Sequence, residues 1–79
     1  MNITVIGSTS SNRIKLVKNV IKALKELKIN IIPDIIDDKE NLTKYKNINT
    51  PILIVNDKIV SNGNILTDRE IKHYIKLLT

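Results

Sequence analysis

The stretch Asn2-Ile3-Thr4-Val5-Ile6-Gly7-Ser8-Thr9-Ser10-Ser11-Asn12-Arg13 decides how this chain of 79 residues is read. Its first half is β-branched and stops at a glycine, the pattern of a short buried strand over residues 2–6. Its second half is a polar loop of residues that favour helix caps. Beyond it, Leu16/Val17, Val20/Ile21, Leu24 and Leu27 recur at the helical period, predicting a helix over about residues 13–28. Lysines 15, 18, 22 and 25 fall on its opposite face. A strand running through a cap-rich loop into an amphipathic helix opens a β-α unit.

Residues 29–36 predict a second strand, and Pro33 within it removes a ladder donor, so the strand should lie at a sheet edge or break there. Joined through a helix, the first two strands must be parallel. Asp37-Asp38 can cap a short helix through about Tyr45, with Leu42 and Tyr45 on its inner side. Asn47-Ile48-Asn49-Thr50-Pro51 is a loop. Residues 52–55 and 58–60 flank Asn56-Asp57, two residues that tolerate left-handed backbone, and together they predict a β-hairpin. Ser61-Asn62-Gly63-Asn64 reads as a further turn. Thr67-Asp68-Arg69-Glu70 matches a capping box, and Ile71, Tyr74/Ile75 and Leu78 mark the inner face of a last helix. The order is β-α-β-α-β-β-α. It predicts an α/β fold, a four-stranded mixed sheet flanked by three helices, in one domain over residues 1–79.

Composition narrows the chemistry. At 42% hydrophobic, with sixteen isoleucines and neither Phe nor Trp, the core must be aliphatic. The absence of cysteine excludes disulfide frameworks, thiolate zinc sites, iron–sulfur clusters and thiol catalysis. A single histidine, His73, argues against a His-based metal site or a Ser-His-Asp triad. It falls opposite Ile71, Ile75 and Leu78, so it should be exposed. Asp34, Asp37, Asp38 and Glu40 lack calcium-loop spacing and read as a cap and a solubilising loop. No metal or cofactor is expected. The longest apolar run, Ile52-Leu53-Ile54-Val55, is far short of the roughly 18 residues of a membrane span. Met1-Asn2-Ile3-Thr4-Val5 lacks the basic and apolar regions of a signal peptide. A soluble, cytoplasmic monomer without membrane contact is the expectation.

Net charge is +5, and residues 13–28 account for all of it: six basic residues (Arg13, Lys15, Lys18, Lys22, Lys25, Lys28) against Glu26. Elsewhere seven basic residues balance seven acids. Such a segment can serve nucleic acid or an anionic surface, or it can simply be the solvated side of a helix. The missing stacking aromatics and the excess of Lys over Arg weigh against nucleic acid.

The element order, the loop Gly7-Ser8-Thr9-Ser10-Ser11-Asn12-Arg13 after the first strand, Thr50-Pro51 before the third and Gly63 after the fourth together resemble the thioredoxin/glutaredoxin superfamily. The chain looks most like its small archaeal and bacterial glutaredoxin-like members, sometimes called redox-active disulfide proteins. The resemblance implies a Cys-x-x-Cys at the loop and a cis-proline at Pro51. Here Ser10 stands at the position of the nucleophilic cysteine and Arg13 at that of the resolving one. Exchange needs a thiolate, which a serine hydroxyl cannot replace. By family such proteins are thiol-disulfide oxidoreductases of cell redox homeostasis; this chain is expected to be a redox-inactive, non-enzymatic relative.

What remains is a binding mouth. A cis X-Pro bond costs only ~0.5–1 kcal/mol over trans, and it would let the Thr50 backbone meet an extended ligand. The first helix offers N–H groups at its positive end. Ser8, Thr9, Ser10, Ser11 and Asn12 add neutral donors there, and Arg13 adds a fork suited to carboxylate or phosphate. Together with Thr50, Pro51 and Gly63 they form the candidate site for a peptide, a partner protein or a small anionic ligand. The plainer alternative makes Ser10 or Ser11 a helix cap, Arg13 a solvated charge and Pro51 a turn residue. Val5-Ile6-Gly7-Ser8-Thr9-Ser10-Ser11-Asn12 also resembles a flavodoxin phosphate loop. The hairpin over residues 52–60 and the length of the chain contradict the doubly wound order which that fold requires.

Overall fold

The computed structural model describes residues 1–7, 11–37 and 51–79. In chain order these form β1 (Ile3–Ile6), α1 (Ser11–Glu26), β2 (Asp34–Ile36), β3 (Ile52–Val55), β4 (Lys58–Asn62) and α2 (Asp68–Leu78). The four strands make one mixed sheet in the order β2-β1-β3-β4. β1 runs parallel to β2 and antiparallel to β3, with Val5 opposite both Ile35 and Leu53. β3 and β4 form the expected antiparallel hairpin. The fold is α/β, with two helices among the described residues. The short helix expected through Tyr45 and the loop leading to Thr50 lie almost wholly outside those residues, which resume at Pro51.

β1 and β3 are central, and their alternating side chains go into two separate clusters. Ile3, Val5, Leu53 and Val55 face α1 and α2, where they meet Leu16, Val20, Ala23, Leu24, Ile71 and Ile75. Ile6, Ile52 and Ile54 form the cluster on the other face, with Ile36 at its margin. Burial on both faces is why β3 reads as an unbroken apolar run rather than an alternating one. Leu16, Val20, Leu53, Val55 and Ile71 are fully buried. Each contributes about 1.5–3 kcal/mol relative to an exposed side chain.

Several boundaries differ from the expected ones, each for a backbone reason. β2 begins after Pro33 instead of enclosing it, because the imide cannot join the ladder. It is an edge strand, as expected. The N–H of Ile29, assigned above to a strand, instead donates to the C=O of Leu24 at 2.9 Å. That bond and Lys28 N–H to Lys25 C=O at 3.1 Å form a Schellman closure of α1. Lys28 takes the left-handed position, φ 59°, where glycine is usual. β4 runs to Asn62, two residues beyond the expected Val60, because its ladder continues through polar residues opposite Leu53 and Ile52. A bulge there leaves Val60 as the extra residue between the Ile59 and Ser61 pairings. Ser61 is thereby buried, and its hydroxyl donates to the C=O of Asn64 at 3.2 Å.

Both residues of the hairpin linker have positive φ, Asn56 at 50° and Asp57 at 67°, the type I′ geometry that suits strand twist. Asn56 has a further role. Its Oδ1 accepts from the Asn2 N–H at 3.0 Å, and its Nδ2 donates to the Leu78 C=O at 2.9 Å. α2 carries the full capping box: Thr67 Oγ1 accepts from the Glu70 N–H at 3.2 Å, and Glu70 Oε1 accepts from the Thr67 N–H at 3.1 Å.

One flank of α1 is fastened to α2. Asn19 Nδ2 donates to the Leu66 C=O at 2.9 Å, Lys72 Nζ to Glu26 Oε2 at 2.9 Å, and Lys22 stands 3.7 Å from Asp68. For Asp68, desolvation pushes the carboxyl up. A hydrogen bond with Glu26, the Lys22 charge, the helix backbone and Lys72 outweigh it and hold the group below its ordinary range.

Candidate functional site

The site forms where the sheet hands the chain to α1. β1 ends at Ile6, and Gly7, buried, donates its N–H to the C=O of Ile36 at 3.0 Å, one rung beyond the paired strands. α1 begins with Ser11, so Ser11 lies inside the helix rather than before it, and Ser11 and Asn12 are exposed on its first turn. Arg13 is half-buried on the same turn. It points back toward the sheet, and Nη1 donates to the C=O of Gly7 at 3.0 Å.

Pro51 enters from the other side. It is buried immediately before β3, and a Cβ placed on Gly7 would stand 3.4 Å from both Cα and Cβ of Pro51 and 3.7 Å from Cδ of Arg13. These are ordinary van der Waals distances, so Gly7 is flanked closely by Pro51 and by the Arg13 side chain. Gly63 completes the arrangement from β4. Its φ is 82°, a conformation that suits glycine, and its N–H donates to the C=O of Pro51 at 2.9 Å. The hairpin ladder thus continues past Ile52 to the proline itself.

Of the sequence-predicted site residues, the structure brings Arg13 and Pro51 against Gly7, and Gly63 joins them only through its bond to Pro51, while Ser11 and Asn12 are exposed on the first turn of α1. Ser8, Thr9, Ser10 and Thr50 lie outside the described residues, as does the geometry of the Thr50–Pro51 bond. Gly7 was quoted within the loop but not singled out. The signal that finds it is a glycine closing a strand, which marks close approach of another backbone. Arg13, expected as a free-standing fork for an anion, is anchored to the strand end, because a half-buried guanidinium takes a carbonyl partner.

The arrangement sets a fixed cation, Arg13, beside the first turn of a helix. It has no thiol to break or form a bond, since the chain has no cysteine. Among the described residues no three His, Asp or Glu side chains are grouped to hold a metal ion. His73 is exposed on α2, as expected, with its ring edge-on to Tyr74 at 5.8 Å. No helix among the described residues is long and apolar enough to cross a membrane.

Comparison with known proteins bears on the same features. No curated protein and no solved structure matched the chain. A sequence model of the thioredoxin domain matches residues 1–76, which takes in every described strand, α1 and all but the last two residues of α2. The match spans the β1–Gly7–α1 junction and Pro51 as well as the hairpin that carries Gly63. With that coverage and a central strand paired parallel on one side and antiparallel on the other, the chain belongs to the thioredoxin domain family, and it does so without a single cysteine.

Proposed function

We propose that this protein is a thioredoxin-like domain that recognises without exchanging disulfides, a non-enzymatic member of a family of thiol oxidoreductases. In this reading the mouth around Gly7, Ser11, Asn12, Arg13, Pro51 and Gly63, together with Ser8, Thr9, Ser10 and Thr50, binds an extended peptide of a partner or a small carboxylate- or phosphate-bearing ligand. One observation carries it: Arg13 and Pro51 converge on Gly7, next to the loop where the resemblance implies the family's cysteines, while the chain supplies no sulfur nucleophile. A positive helix end beside an anchored guanidinium favours an anion, and Pro51 beside a strand end favours an extended backbone.

Titration with glutathione, inorganic phosphate and an acidic peptide, followed by the amide signals of Gly7, Ser11, Asn12, Arg13 and Gly63, tests the proposal. Movement of these amides in at least one titration is expected, and silence in all three overturns it. The rival reading, a working glutaredoxin-like oxidoreductase, is tested by an insulin-reduction assay. No turnover is expected.

A further inference from the structure

We propose that the outward flank of α1, turned away from α2, is a docking surface for an acidic amphipathic helix of a partner protein. Ile14, Lys18, Ile21 and Lys25 follow one another at spacings of four, three and four, so they form a single stripe along the helix. The stripe is about 16 Å long at 1.5 Å per residue. Ile14 is 49% and Ile21 40% exposed, although both belong to the helix that contributes most to the core. The opposite flank is already committed, through Asn19, Lys22 and Glu26, to the α2 side. Lys15, Lys18, Lys25 and Lys28 make no ion pair among the described residues. Most of the chain's positive excess therefore lies on this helix, and two of its lysines, Lys18 and Lys25, are interleaved with two isoleucines that neither the core nor α2 covers.

Charge complementarity names the occupant. Lys18 between the two isoleucines and Lys25 beyond Ile21 repel a basic partner and favour one whose apolar residues are bordered by Asp or Glu. Two isoleucines seven residues apart match apolar residues at the same spacing on a second helix lying alongside at a shallow angle. A nucleic acid would use the lysines but gain nothing from Ile14 and Ile21, and this face has no stacking aromatic. A lipid surface asks for a broader apolar face than two side chains supply.

The test uses the full chain and a synthetic helical peptide with leucines seven residues apart, each bordered by glutamates. The amides of residues 14–28 are expected to move and those of Gly7 and Gly63 to stay. Ile14→Ser with Ile21→Ser should weaken binding about tenfold through lost apolar contact. Lys18→Glu with Lys25→Glu should abolish it, and Lys58→Gln, exposed on β4, should leave it unchanged. Both isoleucines are exposed, so the double serine variant should keep the wild-type thermal midpoint, which checks that the fold survives. Absence of binding overturns the proposal. So does affinity indifferent to the serine pair, which would mean charge alone. Equal or tighter binding of duplex DNA or of phosphatidylserine vesicles overturns it in favour of those ligands.

Discussion

The guanidinium of Arg13 reaches back six residues to the carbonyl of Gly7, 3.0 Å from Nη1, and so fastens the first turn of α1 to the end of β1. In a family built around two thiols at this junction, a side chain now supplies a fixed positive charge and a structural bond together. Arg13→Ala is expected to lower stability by about 1–2 kcal/mol, the range for a charge-assisted bond to a part-buried carbonyl. It should also remove the phosphate response of the mouth. Urea unfolding checks the first effect and the titration of Gly7 and Asn12 amides the second. Arg13→Lys should keep part of the charge effect but lose the planar fork.

Asn56 joins the beginning and the end of the fold. Replacing it with Ala removes the side-chain bonds to Asn2 and Leu78 and leaves at positive φ a residue that tolerates it less well than asparagine. A loss of about 2 kcal/mol is expected from two hydrogen bonds at roughly 1 kcal/mol each. Asn56→Gly should cost less, because the type I′ turn is then relaxed even though the clamp is gone. Hydrogen exchange should report faster opening of the last turn of α2 in both variants, with β3 and β4 separating only in the alanine protein.

Lys28 occupies the left-handed position after α1. A left-handed non-glycine residue costs roughly 1–2 kcal/mol, part of which glycine gives back through the greater freedom of the unfolded chain. Lys28→Gly is therefore expected to raise stability by about 0.5–1 kcal/mol. The urea midpoint should rise with no change in slope.

Asp68 links stability to pH. Its carboxyl is held below its ordinary range, so the folded state binds this proton less readily than the unfolded chain does. The contribution is then complete above the ordinary value of 3.8 and is lost as pH falls through the lower folded value. Asp68→Asn should flatten the stability profile in that acid window and leave its shape near neutrality unchanged. Because Lys22 is largely exposed, the effect should be small and should shrink with added salt.

Much of the fold was legible because its signals are local. Thr67 and Glu70 lie within one turn of each other, Asn56-Asp57 is a two-residue linker, and the α1 stripe repeats over four turns. Pro33 correctly placed β2 at an edge, but its missing donor also shortened that strand to Asp34–Ile36. The extension of β4 through Ser61 and Asn62 was hidden because backbone pairing, not apolar side chains, carries it. Lys28 gave no warning, since lysine has no preference for a left-handed backbone. At the site, Arg13, Pro51 and Gly63 were visible as landmarks. The approach of Pro51 to Gly7 joins segments more than forty residues apart, which no local pattern encodes.

The two margins of the sheet bear on how the molecule behaves in a crowd. β2 has three residues, follows a proline and begins with the exposed Asp34, while β4 starts at Lys58 and is interrupted at Val60. Neither margin presents a straight, uncharged row of hydrogen-bonding groups onto which another chain could zip. A sequence so rich in isoleucine would otherwise be a ready seed for fibrils, and its resistance to them should reside in these few residues rather than in the stability of its interior.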